Sequence, residues 1–152
     1  MKGVAPGPSA RVDMTMASRP RSAGVRQRPL MVWQALSALF LLAMGGLHLY
    51  LVFNGTGGIL GILFTLNFVG GLVLAIAMLV VRGWLLPVAS VLSLLFLVGT
   101  LLALVLALTV GLFGISSSLS YELAPTTLVV ESIGAVVLAV TTVLVLRARR
   151  GV

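Results

Sequence analysis

Four long apolar runs constrain this chain more than any other feature of its sequence. They cover residues 30–53, 57–81, 84–112 and 126–146, and each reaches the roughly 20 apolar residues that a transmembrane helix needs. In hydrocarbon, a helix satisfies all of its backbone groups within one segment, and the sequence has no pattern of short alternating strands. It therefore predicts an all-α fold, a bundle of four transmembrane helices joined by short loops.

The composition supports a bilayer as the solvent of this chain. Of its 152 residues, 60% are hydrophobic and 9% are charged, and the mean hydropathy is +1.22. Soluble proteins are about a quarter charged, so this chain has too few polar side chains to cover a globule in water. There is no cysteine, which excludes disulfides, thiolate nucleophiles and cysteine-ligated metal sites.

The ends of the runs carry signals for turns. Pro29 precedes the first run and predicts that no helix continues upstream of it. Asn54 and Gly55 predict a turn after the first run. Arg82 and Gly83 leave so short a hairpin that the second and third helices are predicted to be antiparallel neighbours. The first run is too long for a signal peptide and no cleavage site follows it, so it is predicted to be a retained helix. Residues 114–124 form the predicted external loop.

The basic residues fall on one side of this four-helix scheme, because two of the three connections carry no lysine or arginine. The positive-inside rule therefore predicts that both termini are cytoplasmic. Arginine is favoured over lysine, which together with abundant Ala, Gly, Val and Leu is typical of a GC-rich bacterial genome, so we expect a multi-pass protein of the plasma membrane. The ten basic residues are Lys2, Arg11, Arg19, Arg21, Arg26 and Arg28 before the first run, Arg82 between the second and third, and Arg147, Arg149 and Arg150 after the fourth.

The first 29 residues form a predicted disordered, basic cytoplasmic tail, rich in Pro, Ser, Gly and Arg. Its basic residues are expected to contact anionic lipid headgroups, at about 1 kcal/mol per residue near the surface. A specific protein or nucleic-acid ligand is the alternative. The net charge of +7 is already explained by topology, so no nucleic-acid partner is expected. Residues 148–152 form a second short basic tail, and Met14 and Met16 are alternative translation starts.

Two ionisable residues lie inside the predicted spans at a similar depth. His48 is five residues before the outer end of the first span, and Glu131 is five residues after the outer end of the fourth. At 1.5 Å per residue, both lie roughly 7–8 Å below the outer boundary. Because an ionisable group in hydrocarbon needs a partner or water, the two are predicted to pair if the first and fourth helices are adjacent. Asn67, near mid-bilayer, is a further candidate for an interhelical hydrogen bond.

The chemistry open to this candidate polar cluster is narrow. A histidine and a carboxyl at one depth suit a proton relay or a proton-coupled transporter. One His and one Glu are too few to hold a metal ion without a partner chain, and no second axial ligand for haem is evident. The motifs of nucleotide-binding and hydrolytic enzymes are missing from the sequence. We therefore expect no catalytic residue and no cofactor.

Small and polar residues recur at helical spacing in each predicted span and are expected to form the helix contacts, since close packing rather than apolar area holds helices together in lipid. The predicted lines are Gln34, Ser37, Leu41, Gly45 and His48; Gly57, Gly61 and Thr65 beside Asn67, Gly71 and Ala75; Ser93, Thr100, Ala103 and Ala107; and Glu131, Ala135, Ala139 and Thr142.

Residues 45–80, GGLHLYLVFNGTGGILGILFTLNFVGGLVLAIAMLV, resemble a pattern found in uncharacterised small four-helix membrane proteins of high-GC Gram-positive bacteria. The resemblance implies a four-helix integral membrane protein without an assigned activity. The stretch FTLNFVGG is also similar to the Asn-bearing helix of small fluoride channels, but their Phe- and Thr-rich broken helix has no counterpart here. Small multidrug exporters share the four-helix plan, yet their carboxylate is in the first helix, whereas Glu131 is in the fourth.

The sequence thus favours a non-enzymatic structural or accessory subunit of the membrane. Its expected partners are the lipid bilayer with its anionic headgroups and either another membrane protein or a second copy of the chain. The alternative is a small proton-coupled transporter or channel that uses His48, Glu131 and Asn67. A membrane enzyme would need a convergent set of polar groups that the sequence does not supply.

Overall fold

The computed structural model describes residues 3, 22–111 and 123–150, and its secondary structure is entirely helical in this part of the chain. The helices are α1 (Ser22–Phe53), α2 (Gly58–Val80), α3 (Leu85–Thr109) and α4 (Ala124–Arg150). Each contains a stretch long and apolar enough to cross a membrane, which confirms the predicted all-α fold with four candidate spans. The greater part of the predicted basic tail, and the predicted external loop up to residue 122, lie outside the described residues.

The four helices form a ring in which each packs against the next and α4 packs against α1. The contacts between them fix antiparallel directions. Gly45 of α1 lies against Phe68 of α2, and Gly71 lies against Leu41. On the other side of α1, Ser37 contacts Thr141 of α4. This arrangement confirms that the second and third helices are antiparallel neighbours, and it meets the condition that the first and fourth are adjacent.

The start of α1 differs from the prediction. The helix begins at Ser22, eight residues before the predicted start at Leu30, and it passes through Pro29. The expectation that Pro29 prevents a helix upstream was wrong, because a proline removes one backbone hydrogen bond without forbidding helix on both sides of it. The apolar part of α1, Arg28–Phe53, nevertheless begins close to the predicted boundary.

The other boundaries differ by a few residues. The fourth helix was predicted over 126–146, but α4 runs from Ala124 to Arg150 and includes most of the predicted C-terminal tail. Its last turn carries Arg147, Arg149 and Arg150, whose positive charges interact favourably with the carboxyl end of a helix. The α3 helix ends three residues earlier than predicted, at Thr109, before Gly111 with a φ of +80°.

All described arginine side chains lie at one end of this ring, which we call the arginine end. It is formed by the start of the apolar part of α1, the α2–α3 turn and the last turn of α4. In the turn, the Arg82 guanidinium donates to the carbonyl oxygens of Leu79 and Val81, at 2.8 and 2.9 Å. The opposite end, formed by Phe53, Gly58, Thr109 and the start of α4, is called the far end.

The centre of the bundle is a small apolar core with close backbone contacts. Its fully buried side chains include Leu41, Met44, Met78, Leu97 and Leu138. A Cβ atom at position 71 would lie 2.9 Å from the Leu41 carbonyl oxygen, so α1 and α2 approach this closely only because that residue is glycine. Outward-facing residues such as Ile62, Leu95 and Val136 are more than 60% exposed. An apolar outer surface of this kind suits contact with lipid chains.

The packing faces agree with the predicted lines in α1 and differ in α4. All five residues of the predicted α1 line, Gln34 to His48, are buried. In α4 the buried line continues from Glu131 through Gly134, Leu138 and Thr141, whereas Ala135 and Ala139 are only partly buried. Gly134 selects this rotation, because it lies against Leu97 of α3 and Phe40 of α1.

Candidate functional site

A cluster of hydroxyl side chains joins three helices in the half of the bundle nearest the arginine end. We call Ser37, Ser90, Thr141 and Thr142 the serine–threonine cluster; all four are buried. The hydroxyls of Ser37 on α1 and Thr141 on α4 are 2.8 Å apart. Thr142 donates to the Ser90 carbonyl oxygen on α3 at 3.3 Å. Each buried hydroxyl therefore has a partner, and the bonds connect α4 to both of its neighbours.

The hydroxyls of Ser90 and Thr141 also form hydrogen bonds to nearby backbone carbonyl oxygens. The Thr141 hydroxyl lies 2.8 Å from the Val137 carbonyl oxygen in its own helix and 3.2 Å from that of Trp33 on α1. The Ser90 hydroxyl donates to Leu86 at 2.9 Å. Since a threonine has one hydrogen to donate, Thr141 accepts from Ser37 while donating to a carbonyl. The cluster is thus internally satisfied and acts as a structural connection.

His48 is buried on α1 and is bound within its own helix. Its Nδ1 donates to the Met44 carbonyl oxygen at 2.9 Å, since a carbonyl can only accept. Its ring packs edge-on against Phe64 of α2, with ring centroids 4.8 Å apart and planes at 75°. The imidazole therefore faces the contact between α1 and α2.

Glu131 on α4 is the most unusual group in the bundle. It is 0% exposed, and both of its carboxyl oxygens lack a hydrogen-bond partner among the described residues. Thr100 of α3 lies near it, but the Thr100 hydroxyl donates its single hydrogen to the Leu97 carbonyl oxygen at 2.8 Å. One turn away on α4, Thr127 is also buried, and its hydroxyl oxygen has no partner in the described part of the chain.

The predicted pairing of His48 with Glu131 is not present. Although α1 and α4 are adjacent, their contacts set Gly134 against Phe40 and Thr141 against Ser37. Extending that antiparallel register by one turn places Glu131 beside Met44, one turn deeper than His48. Counting residues from the ends of apolar runs is too coarse to resolve one turn, and it carries no information about which neighbour a side chain faces.

Asn67 does not complete a cluster with these two residues. It is partly buried on α2, and its Oδ1 atom is buried without a hydrogen-bond partner among the described residues. The interhelical hydrogen bond predicted for Asn67 is therefore not observed. Since α2 lies across the ring from α4, the structure separates Asn67 from Glu131.

The remaining predicted site residues are arginines, and those described lie at the arginine end. Arg28, Arg82, Arg147, Arg149 and Arg150 are all exposed there. Arg26 lies in α1, and Arg19 and Arg21 fall outside the described residues.

Sequence reasoning missed the serine–threonine cluster and the role of Thr127. Ser37 and Thr142 were on the predicted packing lines, but Thr141 and Thr127 were not. The available signal was the spacing of Thr127 and Glu131, four residues apart and therefore on one helix face. No group of three or more His, Asp or Glu side chains that could hold a metal ion occurs in the described part of the chain.

The far end also carries a shallow groove with a volume of about 390 Å³. It is lined largely by residues of the α1–α2 turn and the first turns of α2, and it includes neither Glu131 nor Asn67. Its lining residues are Val52, Thr56, Gly57, Gly58, Gly61, Ile62, Thr65 and Leu66.

No family model, curated protein or solved structure matches this chain.

Proposed function

We propose that this chain is a multi-pass protein of a bacterial plasma membrane that acts as a non-enzymatic structural or accessory subunit. The observation that supports this role best is the serine–threonine cluster, which connects α1 and α3 to α4 through satisfied hydrogen bonds. A transporter needs two packing arrangements of its helices around a site. A bundle connected across three of its four helices is better suited to one arrangement that presents a fixed surface to a partner.

The proposed topology places the arginine end in the cytoplasm, together with both termini. Its support is the position of every lysine and arginine in the sequence, since none falls in the two connections at the far end. The expected partners are anionic lipid headgroups at the arginine end and a second membrane protein, or another copy of the chain, along the apolar outer faces. The resemblance of residues 45–80 to small four-helix membrane proteins is compatible with this role.

The accessory role is tested with a bundle that is covalently locked. The chain has no cysteine, so Ser37→Cys with Thr141→Cys creates a single disulfide across α1 and α4, where the two hydroxyl oxygens are 2.8 Å apart. A native membrane complex that keeps the locked chain at the same stoichiometry as the wild type would support the proposal. Migration of both chains as isolated monomers in mild detergent would contradict it.

The second candidate is a proton-coupled transporter or channel, and Glu131 is the observation that favours it. Ionisable residues inside membranes commonly mark proton or ion pathways, and this carboxyl has no structural partner in the described residues. Its test is proton flux in vesicles reconstituted with the pure chain. Flux that is lost in Glu131→Gln and in the disulfide-locked bundle would favour this candidate over the accessory subunit.

A further inference from the structure

The unpaired carboxyl of Glu131 needs a physical explanation that a purely structural helix contact does not give. A charged carboxylate that is out of water and without hydrogen-bond donors is strongly unfavourable. The Thr100 hydroxyl lies near the carboxyl but already donates to the Leu97 carbonyl oxygen, and one turn along α4 the next buried residue, Gly134, packs against the apolar side chains of Leu97 and Phe40. The carboxyl group therefore lacks either a cation that would neutralise its charge or a bound proton.

Three ligands can be compared for this position. A basic side chain of a partner protein cannot reach it, because Glu131 is 0% exposed. A metal ion would need further acidic or histidine ligands, and no group of three such side chains is found in the described residues. A proton needs neither a cavity nor additional ligands.

We propose that Glu131 is a proton-binding site, which keeps the far-end half of the bundle closed while the carboxyl is protonated and loosens it when the proton leaves to water. The site consists of the Glu131 carboxyl and the unpaired Thr127 hydroxyl one turn away on α4. When the proton leaves, the carboxylate needs hydrogen donors. Thr127 is the nearest candidate on its own helix, and water is the other, so the charged form favours entry of water from the far end.

Few other titratable groups face this site. On α1 the titratable residues of the apolar part beyond Arg28 are His48, which is bonded to Met44, and Tyr50, which is exposed on the outer surface of the bundle. The α2 and α3 helices contain no acidic, basic or histidine residue. On α4 the other charged groups are Arg147, Arg149 and Arg150 at the opposite end. Proton binding in this half therefore depends on Glu131, with His48 as the single neighbour to be controlled for.

This inference extends the second candidate function and does not depend on the accessory role. A bundle can bind a proton at Glu131 without transporting anything, and an accessory subunit can use the same site. The test below reads stability and protonation rather than flux or complex formation, so its failure is distinguishable from the failure of either proposed function.

The first measurement is the melting temperature of the purified chain in detergent between about pH 5 and about pH 9, above the ordinary titration of a carboxyl near pH 4.3. If the folded state holds a proton at Glu131 that the unfolded chain releases, stability falls as the pH rises. We expect a fall of several degrees in the wild type. Glu131→Gln, which keeps a neutral side chain of the same size, should remove this dependence and melt near the wild-type value at acidic pH.

Matched controls identify the group responsible. Glu122→Gln changes the other glutamate of the chain and should leave the pH dependence intact. His48→Phe should leave the fall at alkaline pH intact and remove only the contribution of the imidazole, since histidine ordinarily titrates near pH 6.5. The proposal would be overturned if stability fell with rising pH in neither the wild type nor His48→Phe, or if the fall persisted in Glu131→Gln.

The second measurement needs no folded variant. The chain has two glutamates, so labelling glutamate with carbon-13 confines the carboxyl infrared bands to Glu122 and Glu131. We expect the C=O stretch of a protonated, non-hydrogen-bonded carboxyl at neutral pH, where a solvated carboxyl is ionised. Its loss at alkaline pH together with increased amide exchange in the first turns of α4 would support the proposal. Absence of the band at neutral pH would overturn it.

Discussion

The two halves of this bundle keep polar groups out of lipid in different ways. Near the arginine end, Ser37, Thr141 and Thr142 bond to one another or to a neighbouring backbone, so that these hydroxyls are buried together with their partners, and the buried Ser93 hydroxyl on α3 is the exception in that half. In the far-end half, Glu131 and Thr127 are buried without partners among the described residues. The comparison indicates that one half is a fixed connection between helices and that the other half holds a group with more than one state.

The largest expected effect concerns which side of the membrane each half faces. Phe53 at the far end is 80% exposed and Trp84 at the arginine end is 64% exposed. In a chain without native cysteine, Phe53→Cys should react completely with a membrane-impermeant maleimide added outside cells, and Trp84→Cys should react only after the membrane is opened. Labelling of Trp84→Cys in intact cells would reverse the assignment of the two halves.

The next largest effect tests the close contact between α1 and α2 at the middle of the bundle, where the two halves meet. Gly71→Val places a side chain against the Leu41 carbonyl oxygen, which is 2.9 Å from the Cβ position. Overpacking of this kind destabilises by about 1–3 kcal/mol. Gly99→Val is the matched control, since nothing lies within 4 Å of a Cβ atom there. Equal melting temperatures for the two variants in detergent would show that α1 and α2 do not approach as described.

A smaller effect tests the connection in the arginine-end half. Thr141→Val removes the hydroxyl shared with Ser37 at almost constant volume, and interhelical hydrogen bonds in membranes contribute about 0.6 kcal/mol on average, with about 1.7 as the upper value. We expect a loss in that range, measured by unfolding in mixed detergent. Thr65→Val is the control, because Thr65 is exposed and bonds only to Gly61 of its own helix. A loss in the control as large as in Thr141→Val would argue against a special role for the cluster.

The smallest effect is an expected absence of coupling in the far-end half. His48 bonds to Met44 and packs on Phe64, so the loss of stability caused by replacing it should be the same whether residue 131 is Glu or Gln. The unfolding free-energy changes of His48→Ala and Glu131→Gln should add in the double variant within about 0.5 kcal/mol. A larger interaction energy would show that the two residues do pair, as their similar depth in the sequence suggests.

The architecture could be predicted from the sequence because the length and hydropathy of each apolar run can be counted directly along the chain. The four spans and the buried α1 line from Gln34 to His48 follow from hydropathy and helical spacing. The rotation of α4 could not be predicted, since Glu131–Ala135–Ala139 and Glu131–Gly134–Leu138 are both helical lines. The choice between them depends on Gly134 fitting between Leu97 and Phe40, which are distant in sequence.

Of the candidate site, Glu131 could be predicted from the sequence, whereas its contacts and the buried Thr127 beside it could not. Glu131 is conspicuous as the acidic residue inside an apolar run, and the structure places it in the core. That it stands apart from His48 depends on helix register and side-chain direction, which residue counting does not provide. The start of α1 upstream of Pro29 was missed for a related reason, since one missing backbone bond is a weak signal in a long helix.

The most direct test of the difference between the halves is amide hydrogen exchange along α4 in lipid nanodiscs at alkaline pH. Residues 127–133 carry the unpaired groups, and residues 138–145 carry the serine–threonine bonds. We predict exchange at least about tenfold faster in 127–133, which corresponds to a local opening free energy lower by about 1.4 kcal/mol, and loss of this difference in Glu131→Gln. Equal exchange in the two segments of the wild type, or faster exchange in 138–145, would contradict the account.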